Sequence, residues 1–376
     1  MSVSILEHFK DLEDPRIYTD NKRHRLLDIV VIAMLAVLSG ADGWADIFAW
    51  ADARKTWLAT FLALPNGIPS RDCIRRVISR LDADQFHACF VAWMGAVCEV
   101  TGGEIIAIDG KTLRRSFERR SGKAALHMVS AWAVKNHVLL GQEAVDQKSN
   151  EITAIPKLLE ILDLTGAVVT IDAMGCQKEI ARQIRDGGGD YVLALKGNQS
   201  QIHEGVKQSF EEHIEDDFAR VACRHYETNE RGHGRTEERH YYQMKVPMTL
   251  PGREEWRDLK TIGLVVNLTE TNGKPSDEVR YFLSSLPLGV KRFAEAVRGH
   301  WQIENGLHWT LDVTFNEDQS RIGKDDGAEN FGPLRRMALS LLKRYRGDKR
   351  SVRQRRLRAG WNREYLLKIL AENTAS

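Results

Sequence analysis

Two short apolar runs that each end in an aspartate constrain the fold of this chain more than any other feature. The run at residues 105–108 stops at Asp109, and the run at 167–171 stops at Asp172. Short apolar runs of this kind are typical of buried strands, and the pattern at 152–164 between them predicts an amphipathic helix. In open α/β sheets, ligands collect beyond the carboxyl ends of the strands. On neighbouring parallel strands, the two aspartates would therefore converge.

The surrounding segments extend this sheet pattern. Residues 126–134 and 137–145 predict two strands joined by a tight turn. A helix at 177–186 and a strand at 191–195 follow the second aspartate. The order of strand, hairpin, helix, strand, helix and strand predicts a mixed sheet flanked by helices, which is the order of an RNase H-like domain.

Two further regions differ in texture from this core. Residues 1–102 predict a separate helical domain, with a buried helix at 26–38 and a helix capped by Ser70. Residues 103–376 then predict the RNase H-like domain, which has a basic helical C-terminus at about 327–376. Within it, a β-rich insertion at about 218–286 contains four predicted strands, at 220–226, 238–246, 261–268 and 278–286.

Charge is distributed unevenly along the chain. The formal net charge is only +2, but residues 343–358 contain nine Lys or Arg and one acid. Such a segment is either an electrostatic footprint for a polyanion or a solvated basic tail.

The same sequence gives no indication of a membrane protein. The longest apolar run has 13 residues, which is too short for a membrane span, and no secretory signal is evident. The five scattered cysteines do not have the spacing of a zinc site and predict reduced thiols. We therefore expect a cytoplasmic location.

A third acid follows a helical pattern near the C-terminal third of the chain. Its apolar stripe steps from Val290 through Val297 to Trp301, and the next helical step falls on Glu304. A charge in a buried stripe is costly unless it is paired or binds a metal.

Each of the three acids also has a purely structural interpretation. Either aspartate alone could form a turn after its strand, and Glu304 alone could form a buried ion pair with Arg298. Together, three carboxylates favour Mg²⁺ or Mn²⁺, and two such ions can promote an in-line phosphoryl displacement.

Several longer motifs carry a resemblance to a known family. The chain resembles the insertion-sequence transposases of the ISAs type, also called H-repeat-associated proteins, which belong to the DDE superfamily. The resemblance covers essentially the whole chain and rests on these motifs: DPR at 14–16, PNGIPS at 65–70, IDGKTLRRS at 108–116, TIDAMGCQ at 170–177, LALKGNQ at 193–199, HWQIENGLHWTLDVTFNEDQSR at 300–321 and RAGWNREYLLKIL at 358–370.

The resemblance implies an activity, a cofactor and a partner. Asp109, Asp172 and Glu304 match the family's catalytic acids, which use Mg²⁺ or Mn²⁺ to cut transposon ends and join them to target DNA. The implied partner is double-stranded DNA, namely the terminal inverted repeats and the target, bound by a homodimer on paired ends. Asp312 is a rival for the third acid.

This sequence departs from the Tyr-Arg-Glu-Lys signature of the broader superfamily. Val297, His300 and Leu311 stand where that signature has Tyr, Arg and Lys. His300, Arg298 or Arg321 would then replace the missing Arg and Lys in binding phosphate.

Other basic and aromatic residues are candidates for contact with DNA. Basic side chains just past the two aspartate motifs could bind backbone phosphates; they are Lys111, Arg114, Arg115 and Lys196. Arg235 and Arg239, in a glycine-flanked loop, could follow a DNA end or belong to an exposed polar hairpin. Trp301 and Trp309 flank Glu304; core packing is favoured over base stacking for Trp301.

Two other functions stay open at this point. The same fold could carry a metal-dependent nuclease that cuts without joining, or a DNA-binding protein derived from a transposase that has lost catalysis.

Overall fold

The architecture is described from a computed structural model of the chain. It describes residues 7–17, 22–97, 103–113, 127–145, 151–232, 234–271, 273–323 and 325–372. Over these ranges no helix combines the length and the apolar character that crossing a membrane requires.

The helices and strands alternate after a helical N-terminal region. The helices are α1 (Leu26–Leu38), α2 (Trp44–Asp52), α3 (Lys55–Leu58), α4 (Arg71–Ile78), α5 (Ala83–Val97), α6 (Glu151–Glu160), α7 (Lys178–Asp186), α8 (Ser200–Ile214), α9 (Val290–Gln302), α10 (Trp309–Phe315), α11 (Gly327–Arg344), α12 (Val352–Trp361) and α13 (Arg363–Glu372). The strands are β1 (Ile105–Thr112), β2 (His127–Ala133), β3 (Val138–Val145), β4 (Val168–Ile171), β5 (Asp190–Leu195), β6 (Cys223–Gly232), β7 (Arg235–Lys245), β8 (Thr261–Thr271) and β9 (Lys274–Ser284).

These described strands form one mixed sheet in the order β3-β2-β1-β4-β5-β9-β8-β7-β6. Strands β1, β4 and β5 are parallel, whereas β2 and β3 form an antiparallel hairpin. The order of the first five strands is that of an RNase H-like core, so the predicted fold class is confirmed.

The predicted β-rich insertion is present as four antiparallel strands, β6 to β9. Strand β9 pairs with β5, with Leu193 opposite Leu283, so these strands extend the sheet. Several of these strands extend beyond their predicted bounds: β6 ends at Gly232 and β8 at Thr271. The extra residues are mostly polar, so their hydrophobic periodicity did not predict a strand.

The helices of the N-terminal region also follow their predicted patterns. Helix α1 has the predicted bounds, and its residues from Asp28 to Leu38 are buried. The Ser70 hydroxyl accepts a hydrogen bond of 3.2 Å from the Cys73 amide, which caps α4 as predicted.

The chain divides into two compact units that are discontinuous in sequence. The first unit comprises Met1–Val100, Gly110–Lys148 and Glu304–Ser376, and the second comprises Thr101–Asp109 and Ser149–Ile303. In the first unit, α11 packs against α1 and α5; in the second, α9 packs against β4 and β5. The domain boundary at residue 102 stays a prediction.

Candidate active site

Asp109 and Asp172 occupy equivalent places on neighbouring parallel strands. Ile105 pairs with Val168, and the register continues in step to Ile108 and Ile171. Each aspartate is the next residue along its chain. Both side chains are half-buried. Strand β1 continues through Asp109 to Thr112, whereas β4 ends before Asp172.

The backbone around Asp172 orients its carboxylate. The amides of Met174 and Gly175 donate hydrogen bonds of 3.1 and 3.2 Å to the same oxygen, Oδ1. The other oxygen, Oδ2, accepts no hydrogen bond from the residues that the structure describes. One oxygen is therefore fixed, and the second is available to a ligand.

Electrostatics at this position favour a bound cation. Burial raises the pKa of Asp172, and Glu151 raises it further, while the two backbone hydrogen bonds and Lys196 act in the opposite direction. A carboxylate whose charged form is disfavoured in this way gains most from a positive ion nearby. Oxygen ligands of this type suit Mg²⁺ or Mn²⁺.

Helix α9 is fastened to the sheet two residues before Asp172. The Nδ1 atom of His300 and the Thr170 hydroxyl share a hydrogen bond of 3.2 Å. Burial lowers the pKa of His300 to about 4, so the imidazole is neutral at pH 7. The neutral imidazole shares a hydrogen bond with Thr170, and phosphate binding by His300 stays a prediction.

Glu304 lies in a π-helical turn that follows α9, Ile303–His308. The expectation that Glu304 continues the buried stripe is wrong, because its side chain is exposed while Ile303 and Leu307 are fully buried. Hydrogen bonding from i to i+5 inserts a residue into the turn and shifts the buried face by one position. Such π turns occur frequently at functional sites.

Lys111 belongs to a buried ion cluster in the first unit. Its ammonium donates to Asp312 Oδ1 at 2.5 Å and to Glu317 Oε2 at 3.0 Å. Arg336 donates to the other Glu317 oxygen at 2.9 Å, and neither Glu317 nor Arg336 has an exposed side chain. We call Lys111, Asp312, Glu317 and Arg336 the Glu317 cluster. No pattern in the sequence pointed to these two residues, since Glu317 stands in a polar stretch and Arg336 follows another arginine in a largely apolar helix.

Comparisons with family models identify the family of the chain. A family model described as "Transposase DDE domain" matches residues 101–341, and one described as "DDE_Tnp_1-associated" matches residues 6–94. The chain belongs to the DDE transposase family. The resemblance seen in the sequence is thereby confirmed.

Full-length relatives of this transposase are similar over nearly the whole chain. It is 41% identical to "Putative transposase YncI" of Escherichia coli O157:H7, covering 99% of this chain and 95% of the relative. It is 38% identical to "H repeat-associated putative transposase YhhI" of Escherichia coli K12, covering 98% and 97%. Among solved structures, the piggyBac transposase synaptic complex with hairpin DNA matches with a TM-score of 0.45 and 11% identity, over 99% of this chain and 78% of that one.

The remaining predicted DNA contacts of the transposase differ in exposure and pairing. Lys196 is exposed directly after β5, and Arg321 is exposed before α11. Arg298, by contrast, forms an ion pair of 2.5 Å with Glu230. The predicted contacts Arg114 and Arg115 lie outside the described residues.

The predicted arginine loop of the insertion is partly strand. Arg239 lies inside β7 and not in a loop; its side chain is buried and contacts Glu230 and Glu237. Arg235 begins β7, is partly exposed and pairs with Glu237 at 2.5 Å. Contact with DNA at either residue stays a prediction and would compete with these carboxylates.

The two tryptophans that flank Glu304 differ in exposure. Trp301 is half-buried beneath the Arg280 guanidinium, which lies 4.5 Å from the ring centroid. Trp309 is 60% exposed at the start of α10. The first is thus largely a packing residue, whereas the second presents its ring to solvent.

The basic C-terminal segment is partly used inside the first unit. Arg356 is buried and donates to three backbone carbonyls and to the Asp42 carboxylate at 2.7–3.1 Å. Asp348 binds Arg350 and Arg358. Arg356 therefore stabilises this unit, whereas Arg350 and Arg358 share one carboxylate and stay exposed.

A different set of side chains forms the three-ligand group that the described residues offer to a metal. His225, Glu227 and His240 lie on neighbouring strands β6 and β7, with their ligand atoms within 4.8 Å of one another. The sequence analysis did not single out this group, because its members come together only through strand pairing.

Proposed function

We propose that this transposase cuts DNA at the ends of an insertion sequence and joins the ends to target DNA. The observation that carries the proposal is the register of β1 and β4, which places Asp109 and Asp172 at equivalent positions beyond paired residues of parallel strands. With the family membership, this favours Asp109, Asp172 and Glu304 as the catalytic acids.

Each proposed acid has a defined part in the reaction. The Asp172 oxygen Oδ2 would bind a divalent cation, while the two amides at Oδ1 hold the carboxylate in place. Asp109 and Glu304 would complete the ligand set. Two Mg²⁺ or Mn²⁺ ions, when bound, would activate the attacking oxygen and stabilise the leaving oxygen of an in-line displacement. No Ser or Tyr nucleophile of the chain is required.

Glu304 is preferred to Asp312 as the third acid. The Asp312 carboxylate accepts a hydrogen bond from Lys111, and this ion pair already neutralises its charge. Glu304 is exposed in a π turn that begins directly after α9, the helix fastened to β4 by His300.

The partners follow from this activity. The substrate would be double-stranded DNA, comprising terminal inverted repeats and target, and a homodimer would hold the paired ends. Such a protein would act in the cytoplasm, at the nucleoid. The helical region 1–102 would form a domain apart from a catalytic region 103–376.

Cleavage of labelled DNA that carries the terminal repeats of the host element tests the proposal. With Mg²⁺ or Mn²⁺, wild type should nick at the element boundary and form joined product, whereas Asp109→Asn, Asp172→Asn and Glu304→Gln should bind DNA without cutting it. Asp312→Asn is the matched control and should retain cleavage.

Other outcomes would overturn parts of this assignment. Cleavage by Glu304→Gln together with its loss in Asp312→Asn would move the third role to Asp312. Cutting without joined product would identify a nuclease, and binding without cutting in wild type would identify a DNA-binding protein.

A further inference from the structure

The helical part of the first unit contains a basic cavity that the proposed chemistry does not use. Its volume is about 460 Å³, and its lining includes Arg16, Arg23, His24, Arg76 and Arg80. This volume falls in the range of roughly 300–1,000 Å³ that is typical of ligand pockets.

Two family motifs of the sequence build this cavity. In the DPR motif, Arg16 makes a two-pronged ion pair with Asp14 at 2.7 and 2.8 Å, and it also donates to the His24 carbonyl at 2.9 Å. In the PNGIPS motif, the Asn66 amide donates to the Arg23 carbonyl at 2.6 Å. The backbone that carries Arg23 and His24 is thus held from both sides, so the cavity is preformed.

The positive charge of the cavity is largely uncompensated. Arg23, Arg76 and Arg80 are exposed, and none of the three forms an ion pair with a carboxylate of the described residues. Arg76 lies in the last turn of α4 and Arg80 lies two residues beyond its end, and both line the cavity. Among the residues that the structure describes, those lining the cavity include no acid.

His24 adds a hydrogen-bonding group to this surface. Its Nδ1 atom is buried and has no hydrogen-bond partner within the described ranges. Burial and the neighbouring Arg16 lower the pKa of His24, so the imidazole is neutral at pH 7. A buried polar atom without a partner is costly, and a phosphate oxygen would accept a hydrogen bond from Nδ1 in the tautomer that carries its proton there.

We propose that this cavity binds backbone phosphates of DNA, with Arg23, Arg76 and Arg80 as the phosphate ligands. Guanidinium groups present paired donors that match phosphate oxygens, and unpaired cations around a cavity favour a polyanion over a neutral ligand. Contacts of this kind position a protein on DNA without reading its sequence. The inference rests on the proposed function in DNA transposition and gives the N-terminal helices a part in it.

Salt dependence of DNA binding tests the assignment. The affinity of the full chain for a labelled 30-base-pair duplex is measured by fluorescence anisotropy between 50 and 200 mM KCl, a length and salt range chosen to expose phosphate contacts. Each lost phosphate contact lowers the slope of log affinity against log salt by about 0.9. For Arg76→Gln/Arg80→Gln we expect affinity to fall at low salt. Two lost contacts lower the slope by about 1.8. Between 50 and 200 mM KCl, the affinity of wild type should therefore fall by a factor roughly twelve times larger than that of the double variant.

A matched control is available on the same helix. Arg71→Gln removes an identical charge from α4, but Arg71 is exposed, pairs with Asp72 and does not line the cavity. It should leave the slope unchanged. Circular dichroism and urea unfolding of all variants show whether the exposed substitutions leave the fold intact.

Three outcomes would overturn the proposal. One is an unchanged slope in the double variant, and another is an equal loss in Arg71→Gln, which would indicate a general charge effect. The third is stabilisation of wild type, but not of the double variant, by millimolar inorganic phosphate with DNA affinity unaltered, which would assign the cavity to a free anion. The cleavage activity of wild type is measured in the same preparations. If wild type cleaves DNA and one of these outcomes is found, the phosphate-binding proposal fails while the proposed function stands.

Discussion

Replacing Glu317 by glutamine tests how far the Glu317 cluster stabilises the first unit. The substitution keeps the size of the side chain but removes the charge that Arg336 and Lys111 share. Arg336, which is fully buried, would lose its counter-ion, whereas Lys111, which is 10% exposed, would keep Asp312. Removing one partner of a buried pair usually costs about 3–5 kcal/mol.

The titration of Glu317 leads to a similar magnitude. Burial by itself would raise the pKa of Glu317, but Arg336 and Lys111 lower it to about 2, against 4.5 for an ordinary glutamate. At about 1.36 kcal/mol for each pKa unit, the charged form contributes roughly 3.4 kcal/mol at pH 7. Because the folded-state pKa is the lower one, this stability is present above pH 4.5 and is lost as the pH falls through about 2.

Urea unfolding followed by circular dichroism measures the effect. We expect Glu317→Gln to lower the free energy of unfolding by about 3–4 kcal/mol at pH 7, and the difference from wild type should shrink as the pH falls toward 2. Glu179→Gln is the matched control, since Glu179 pairs with Arg182 on the surface and such pairs contribute about 0–1 kcal/mol. A cost for Glu317→Gln no larger than that of the control would refute the reasoning.

Three further predictions concern the framework around the site. Gly263→Ala should lower the free energy of unfolding in urea by about 1–3 kcal/mol, because the new Cβ would collide with the Phe293 ring. Adding Phe293→Leu should recover part of this stability. A double variant no more stable than Gly263→Ala would contradict the collision. Arg356→Lys should destabilise the protein by at least about 3 kcal/mol in urea unfolding, because buried hydrogen bonds are lost. Arg353→Gln, at an exposed position, should instead leave stability unchanged and weaken DNA binding. Wild-type stability of Arg356→Lys, or wild-type DNA affinity of Arg353→Gln, would contradict these roles. Wild type should lose stability as the pH falls from 6.5 toward 4, because His300 takes up its proton at a lower pH in the folded chain than in the unfolded chain. His300→Gln should reduce this loss of unfolding free energy by up to about 3 kcal/mol. An unchanged pH profile of stability in the variant would contradict the prediction.

The sequence by itself determined the local elements and the positions of the two aspartates. Apolar runs and periodicity predicted α1, the β2–β3 hairpin and strands β1, β4 and β5, because burial of one or both faces leaves a direct imprint on residue order. Their order was enough for the RNase H-like class, and long motifs were enough for the family. The helices, strands and motifs could be predicted because each depends on residues that are close together along the chain.

Only the tertiary structure decided how the charged side chains are used. The helical periodicity predicted that Glu304 lies in the buried stripe. In the structure a π turn begins at Ile303, so Ile303 is buried and Glu304 is exposed. Lys111 and Arg356 read as free cations in the sequence, yet each is paired with residues far away along the chain. The physical reason is that a charge is satisfied by whichever partner folding brings near, and no local pattern encodes that choice.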